Sequence, residues 1–171
     1  NVLLHFDHTL ITRRLEKHFP GARREADAGQ QLWPLMRAFE SGSIDTGAFL
    51  THAKETLGLS HTLTEAEFRI LWADIFWPNR ELIDLLTGLR NRLTLVMLSN
   101  TNPVHIEFAR ERFPDLFSLF RGAVFSYETG SRKPDPAIFR EALRVAGASA
   151  EETLYFDDVA EYADAASALG M

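Results

Sequence analysis

The sequence contains no cysteine, no long hydrophobic run and no excess of basic residues. Without cysteine the chain has no disulfide, no thiolate zinc site and no cysteine nucleophile, although this leaves its compartment open. No apolar run reaches the roughly 18 residues of a membrane span, and no charged-then-apolar signal peptide opens the chain. The net charge is -6, with acids and bases interspersed, which disfavours a nucleic-acid partner. We therefore expect a cytoplasmic globular protein that binds neither membranes nor nucleic acids.

The order of the apolar segments predicts an α/β fold interrupted by a helical insertion. Residues 2–6 form an almost continuous apolar run that ends on Asp7, which is typical of a buried parallel strand. Residues 12–77 carry apolar residues at helical spacing, and Thr64–Glu67 is a capping box. From Pro78 onward, predicted helices and strands alternate. The predicted domains are a doubly wound parallel α/β core of residues 1–11 and 78–171, and a helical cap of residues 12–77.

Further strands are predicted in the core at residues 93–98, 123–125 and 153–156. Asn102–Pro103 and Asp135–Pro136 each place proline after an N-cap residue, so a helix is expected to start at each. We expect the first strand to lie beside the last, where the strand order reverses. A doubly wound domain usually adds another strand, so we also expect the natural protein to continue beyond Met171.

Polar groups follow each of the four predicted strands. In chain order they are Asp7, then Ser99, Asn100 and Thr101, then Lys133, and finally Asp157 and Asp158. Because the carboxyl ends of parallel strands share one edge of the sheet, we expect these groups to converge. Carboxylates are the hard ligands that Mg²⁺ prefers, while lysine and Ser/Asn donors suit phosphoryl oxygens. Each residue alone fits a helix cap or a solvated loop charge. Together, at successive strand ends, they favour a phosphate and metal site.

Three segments of the core resemble the second, third and fourth motifs of the haloacid dehalogenase (HAD) superfamily. They are LSNTN at 98–102, FSYETGSRKPDP at 125–136, and YFDD at 155–158 followed by Ala165–Ala166 and Leu169–Met171. The resemblance extends over essentially the whole chain, with the motifs in the family's order. It is greatest to the phosphatase branch with a helical cap after the first strand, which includes sugar-phosphate phosphatases.

This resemblance implies a Mg²⁺-dependent phosphoaspartyl mechanism. An aspartate at the end of the first strand would attack phosphorus, and a second acid two residues on would act as general acid and base. The implied roles are phosphoryl binding by Ser99, Asn100 and Thr101, charge neutralisation by Lys133, and Mg²⁺ binding by Asp7, Asp157 and Asp158.

The first motif departs from the family pattern. A gapless alignment places His5 at the nucleophile position and Asp7 at the acid/base position, and the neighbouring residues favour this register. In the alternative register, Phe6 precedes a nucleophilic Asp7 and the acid/base residue is missing. Under the gapless register a neutral His5 imidazole could attack phosphorus, but it carries no negative charge to bind Mg²⁺.

These residues support three functional hypotheses. The first is Mg²⁺-dependent hydrolysis of a small phosphate monoester such as a sugar phosphate, with the cap closing over the substrate. The second is a catalytically impaired relative that binds a phosphorylated ligand or a protein partner. The third and weaker is a 2-haloacid dehalogenase, which needs no metal. All three require Lys133 to lie within about 10 Å of Asp157. We expect a monomer or homodimer that acts on a small phosphorylated metabolite.

Overall fold

The computed structural model describes residues 2–19 and 25–171 and has the predicted α/β architecture. Its strands are β1 (Leu4–Phe6), β2 (Phe76–Pro78), β3 (Val96–Ser99) and β4 (Gly122–Phe125). Its helices are α1 (Thr9–His18), α2 (Glu25–Glu40), α3 (Thr46–Leu57), α4 (Glu65–Ala73), α5 (Arg80–Leu89), α6 (Pro103–Arg112), α7 (Pro114–Phe117), α8 (Ser126–Thr129), α9 (Pro136–Ala146) and α10 (Ala160–Ser167). Among the described residues, no helix has the length and apolarity needed to cross a membrane.

Helices α1 to α4 pack around an aromatic core. The Phe39 and Phe49 rings stack with centroids 4.2 Å apart, and Trp72 meets Phe49 edge-on at 5.1 Å. The predicted capping box starts α4, because Thr64 Oγ1 accepts a hydrogen bond from Glu67 N–H while the Glu67 carboxylate accepts one from Thr64 N–H. The helices predicted between residues 12 and 77 are thus present, except that residues 20–24 lie outside the described part of the chain.

The first strand pairs differently from the prediction. Strand β1 runs antiparallel to β2, with His5 opposite Trp77, instead of joining a parallel sheet beside the last strand. The backbone of residues 75–79 supplies its partners, since Asp7 N–H donates to the Ile75 carbonyl and Asn79 N–H donates to the Leu3 carbonyl. The chain that returns from the helices therefore supplies the strand that pairs with β1.

The predicted last strand, residues 153–156, is also absent as a strand. Leu154 and Phe156 are 82% and 75% exposed, whereas Tyr155 packs edge-on against Phe139 at 5.3 Å. The side chains alternate as they would in a strand, but among the described residues this backbone forms no ladder with another strand. The position of this segment is instead determined by its packing on α9.

Strands β3 and β4 form the parallel pair on which the rest of the core is built, with Ser99 opposite Phe125 at its end. The second predicted strand is shorter than expected, since Leu93 is 54% exposed and β3 begins only at Val96. Helix α9 covers the pair with the fully buried Ile138 and Phe139. Helices α6 and α9 start where predicted, because the side chains of Asn102 and Asp135 accept backbone hydrogen bonds from their first turns.

Candidate active site

Asn100, which follows β3, holds the backbone of Lys133 from both sides. Its Oδ1 accepts a hydrogen bond from Lys133 N–H at 2.8 Å, and its Nδ2 donates to the Lys133 carbonyl at 3.0 Å. Asn100 was predicted to bind substrate, and in the structure its side chain also positions the backbone of Lys133. Its neighbour Thr101 is buried, and the Thr101 backbone exchanges hydrogen bonds with the Ser126 hydroxyl at 3.0 and 3.1 Å. The Ser99 hydroxyl donates a long hydrogen bond, 3.4 Å, to the Asn100 carbonyl.

Lys133 forms a buried ion pair with Asp157, as the prediction of a shared cleft requires. Its Nζ lies 2.5 Å from Asp157 Oδ2, and the two side chains are 9% and 6% exposed. Tyr155 O–H donates to the same carboxylate oxygen, and Val159 N–H donates to Oδ1 at 3.0 Å. Burial acts to raise the pKa of Asp157, but the hydrogen bonds from Lys133, Tyr155 and Val159 outweigh it, so the net pKa is lowered. Asp157 is therefore an anion at neutral pH.

Two tyrosines, neither of them predicted as a site residue from the sequence, lie beside the Lys133 ammonium. The rings of Tyr162 and Tyr155 lie 5.0 and 5.8 Å from Lys133 Nζ, at cation–π distance. Burial and the bond to Asp157 raise the pKa of Tyr155, which keeps it a hydrogen-bond donor. Tyr155 is separated from Asp157 by one residue, so strand-like alternation could have placed it on the same side. No sequence signal marked Tyr162, which reaches the site from α10.

Asp7 lies immediately after β1 at the amino end of α1. Its Oδ1 accepts a hydrogen bond from Thr9 N–H at 2.8 Å, and hydrogen bonding by Thr9 lowers the pKa of Asp7. His5 lies within β1, with its ring 5.9 Å from that of Trp77. Of the two candidate nucleophiles, only Asp7 is at the carboxyl end of the strand.

The predicted Mg²⁺ ligands Asp7, Asp157 and Asp158 are not assembled into a metal centre. In the part of the chain that the structure describes, no group of three histidine, aspartate or glutamate side chains is arranged to hold a metal ion. Strand β1, which precedes Asp7, pairs with β2, and Asp157 follows a segment that joins no strand ladder among the described residues. The Asp157 oxygens also already accept three hydrogen bonds. The three carboxylates are nevertheless of the ligand type that Mg²⁺ prefers.

Comparison with known proteins identifies the family. The profile of the haloacid dehalogenase-like hydrolases matches residues 6–170. A HAD family enzyme of Bacteroides thetaiotaomicron, solved in complex with magnesium and inorganic phosphate, superposes with a TM-score of 0.86 at 25% identity, covering 99% of this chain and 86% of that one. A predicted HAD-like family hydrolase of Porphyromonas gingivalis gives a TM-score of 0.80 at 28% identity, covering 98% and 82%.

Two curated relatives are phosphatases. A sesquiterpene phosphatase of Aspergillus oryzae is 29% identical over 134 residues, which cover 78% of this chain and 67% of the relative. The D-ribitol-5-phosphate phosphatase of B. thetaiotaomicron is 28% identical over 131 residues, or 72% of this chain. This chain spans only 62% of the length of that second relative. The α/β fold class is confirmed, and because the family profile matches almost every residue, the chain belongs to the haloacid dehalogenase-like hydrolases.

Proposed function

We propose that this chain is a phosphohydrolase that cleaves small phosphate monoesters, such as sugar phosphates. The observation that carries the proposal is the buried Lys133 ammonium, which Asn100 holds by its backbone and Asp157 by its charge. A fixed cation of this kind stabilises the charge that develops on a transferring phosphoryl group. The similarity to two phosphatases and to a HAD enzyme crystallised with phosphate supports the same activity.

Asp7 is the proposed nucleophile. Its lowered pKa keeps the carboxylate ionised, and its position after β1 places it at the strand end. A carboxylate oxygen would bond to phosphorus while the ester P–O bond breaks, and the departing alkoxide would take up a proton from solvent. Water would then attack the aspartyl phosphate and release inorganic phosphate. Ser99 would donate a hydrogen bond to a phosphoryl oxygen, as would the Lys133 ammonium.

This assignment follows the alternative register of the first motif, in which Asp7 is the nucleophile and the acid/base residue is missing. His5 lies within β1 opposite Trp77, and the family match begins one residue after it. Thr9, two residues after Asp7, occupies the place of the acid/base carboxylate and donates its backbone N–H to Asp7 instead. We therefore expect slow turnover that depends strongly on the leaving group, because Thr9 replaces the carboxylic acid that would protonate the alkoxide.

Magnesium dependence is part of the proposal. The carboxylates of Asp7, Asp157 and Asp158 are the ligand type that Mg²⁺ prefers, and a structural relative was crystallised with the ion. When bound, Mg²⁺ would reduce the repulsion between the anionic carboxylates and an anionic substrate.

Phosphate release from p-nitrophenyl phosphate, measured with Mg²⁺ and with EDTA, tests the proposal. We expect Mg²⁺-dependent turnover that Asp7→Asn abolishes and that His5→Ala leaves largely intact. Asp115→Asn is the matched control, since Asp115 is an exposed acid on α7. Turnover lost in His5→Ala but retained in Asp7→Asn would overturn the assignment of the nucleophile.

Two further outcomes separate the other functions. A silent chain that His5→Asp activates would support the gapless register and an impaired relative, and thermal stabilisation by inorganic phosphate would then show whether the cleft still binds the anion. Halide release from 2-chloropropionate without metal would support a dehalogenase. The similarity to the two phosphatases favours phosphate hydrolysis over both alternatives.

A further inference from the structure

We propose that the ion pair between Glu40 and Arg132 is a positioning device that couples the helical segment to Lys133. The inference rests on the proposed function, because it assigns Lys133 to the reaction. Glu40 ends α2, and Arg132 directly precedes Lys133. Neither side chain reaches the Lys133 ammonium through a described contact, so Arg132 and Glu40 are positioning residues.

The ion pair joins parts of the chain that are 92 residues apart. Arg132 Nη2 lies 2.6 Å from Glu40 Oε2, and the side chains are only 23% and 18% exposed. Reduced exposure weakens the solvent screening that makes most surface ion pairs ineffective. The pair thus connects α2 to the loop between α8 and α9.

Hydrogen bonds hold the backbone of the loop at Arg132 and at Lys133. Asp135 N–H donates to the Arg132 carbonyl at 2.8 Å, and Asn100 holds the Lys133 backbone as described above. Arg132 is therefore continuous with a rigid turn whose next side chain is the buried lysine. Displacing the Arg132 side chain would pull on the same peptide group that Asn100 orients.

A second contact at the same junction involves no charge. Gly42 follows α2 with φ +70°, and a Cβ on it would lie 2.3 Å from the Tyr127 carbonyl oxygen. The loop after α2 thus packs backbone to backbone against α8. Helix α8 also carries Ser126, whose hydroxyl bonds the Thr101 backbone. The end of α2 therefore contacts two supports of the site at once.

The expected consequence is a loss of kcat at nearly constant KM. Small displacements of a charged group in a positioned site cost roughly tenfold to a hundredfold in rate. We expect Arg132→Ala and Glu40→Gln each to lower kcat about tenfold, and the double variant to be no slower than either. Arg132→Lys should restore much of the rate, because a single nitrogen makes the observed bond. Arg140→Ala is the matched control, since Arg140 is an exposed arginine of α9.

The hydrogen-exchange rate of the Lys133 amide measures the same coupling and does not depend on catalytic activity. The Lys133 amide, protected by Asn100, should exchange about tenfold faster in Glu40→Gln and Arg132→Ala than in Arg140→Ala, while the thermal midpoints of the three agree within a few degrees. Unchanged kcat and unchanged Lys133 exchange in both bridge variants would overturn the inference. If the wild-type chain releases no phosphate, the proposed function fails separately, and the exchange comparison alone decides whether the ion pair positions Lys133.

Discussion

Replacing Asp157 with asparagine should destabilise the protein substantially, even though the two side chains have the same shape. The change leaves the Lys133 ammonium, 9% exposed, without the carboxylate that faces it, and it deprives Tyr155 of a charged acceptor. Removing one partner of a buried ion pair costs about 3 to 5 kcal/mol, and we take the lower end, about 3 kcal/mol, because both side chains keep a small exposed fraction. With an m-value of about 2 kcal/mol per molar for urea, the unfolding midpoint should fall by about 1.5 M.

Urea unfolding followed by tryptophan fluorescence, in EDTA, measures this loss directly. The double variant Lys133→Met/Asp157→Leu separates the ion pair from its surroundings, because removing both charges avoids an unpaired buried ion. We expect the double variant to be more stable than Asp157→Asn. A loss below about 1 kcal/mol in Asp157→Asn, or a double variant less stable than the single one, would mean that the Lys133–Asp157 ion pair does not stabilise the fold in this way.

The pH dependence of this loss follows from the lowered pKa of Asp157. A carboxyl whose folded pKa is depressed contributes stability above its unfolded value of 3.8, and that contribution disappears as the pH falls through the folded pKa. The difference between wild type and Asp157→Asn should therefore be constant from pH 7 to pH 5 and shrink only below pH 4. A difference that already vanishes at pH 6 would mean that Asp157 is not the stabilising anion.

Two further predictions concern the packing beneath the site. Burial lowers the pKa of His105 to about 3, so between pH 6.5 and that value the unfolded chain binds one more proton and the free energy of unfolding should fall by about 1.4 kcal/mol per pH unit. His105→Phe should flatten this slope in urea titrations between pH 6.5 and pH 5, and an unchanged slope would contradict the assignment. Phe49→Ala should lower the free energy of unfolding by about 3 to 5 kcal/mol, because it opens a cavity between Phe39 and Trp72. Leu85→Ala, at a residue 57% exposed, is the control that should cost far less.

Local rules account for the parts of the fold that the sequence predicts correctly. The capping box at Thr64 and the prolines after Asn102 and Asp135 involve side chains and backbone groups within one helical turn. The parallel pairing of β3 and β4 follows from two buried apolar runs joined through helices. The closeness of Lys133 and Asp157 was predicted from strand order, and it is present although residues 153–156 do not form the expected strand.

Features that depend on distant partners were not predictable from the sequence. Strand β1 offers the same hydrogen-bonding edge to any neighbour, so its pairing with residues 76–78 instead of the last strand had no local signal. The Glu40–Arg132 ion pair and the approach of Tyr162 to Lys133 likewise depend on how remote elements meet. Sequence spacing restricts such contacts but does not specify them.

The antiparallel pairing of β1 with β2 makes the intervening helices a closed loop on the core. The chain leaves the core after Asp7 and returns at Ile75, whose carbonyl accepts a hydrogen bond from the Asp7 amide, so the two junctions are neighbours in space. The entropy of closing a loop grows only with the logarithm of its length, so helices added to or removed from such a loop barely change the cost of bringing its ends together. An insert anchored in this way is an exchangeable module. Evolution or an engineer can replace it to admit a differently shaped substrate while the strand that carries Asp7 stays in place, provided that the new module restores a partner for Arg132.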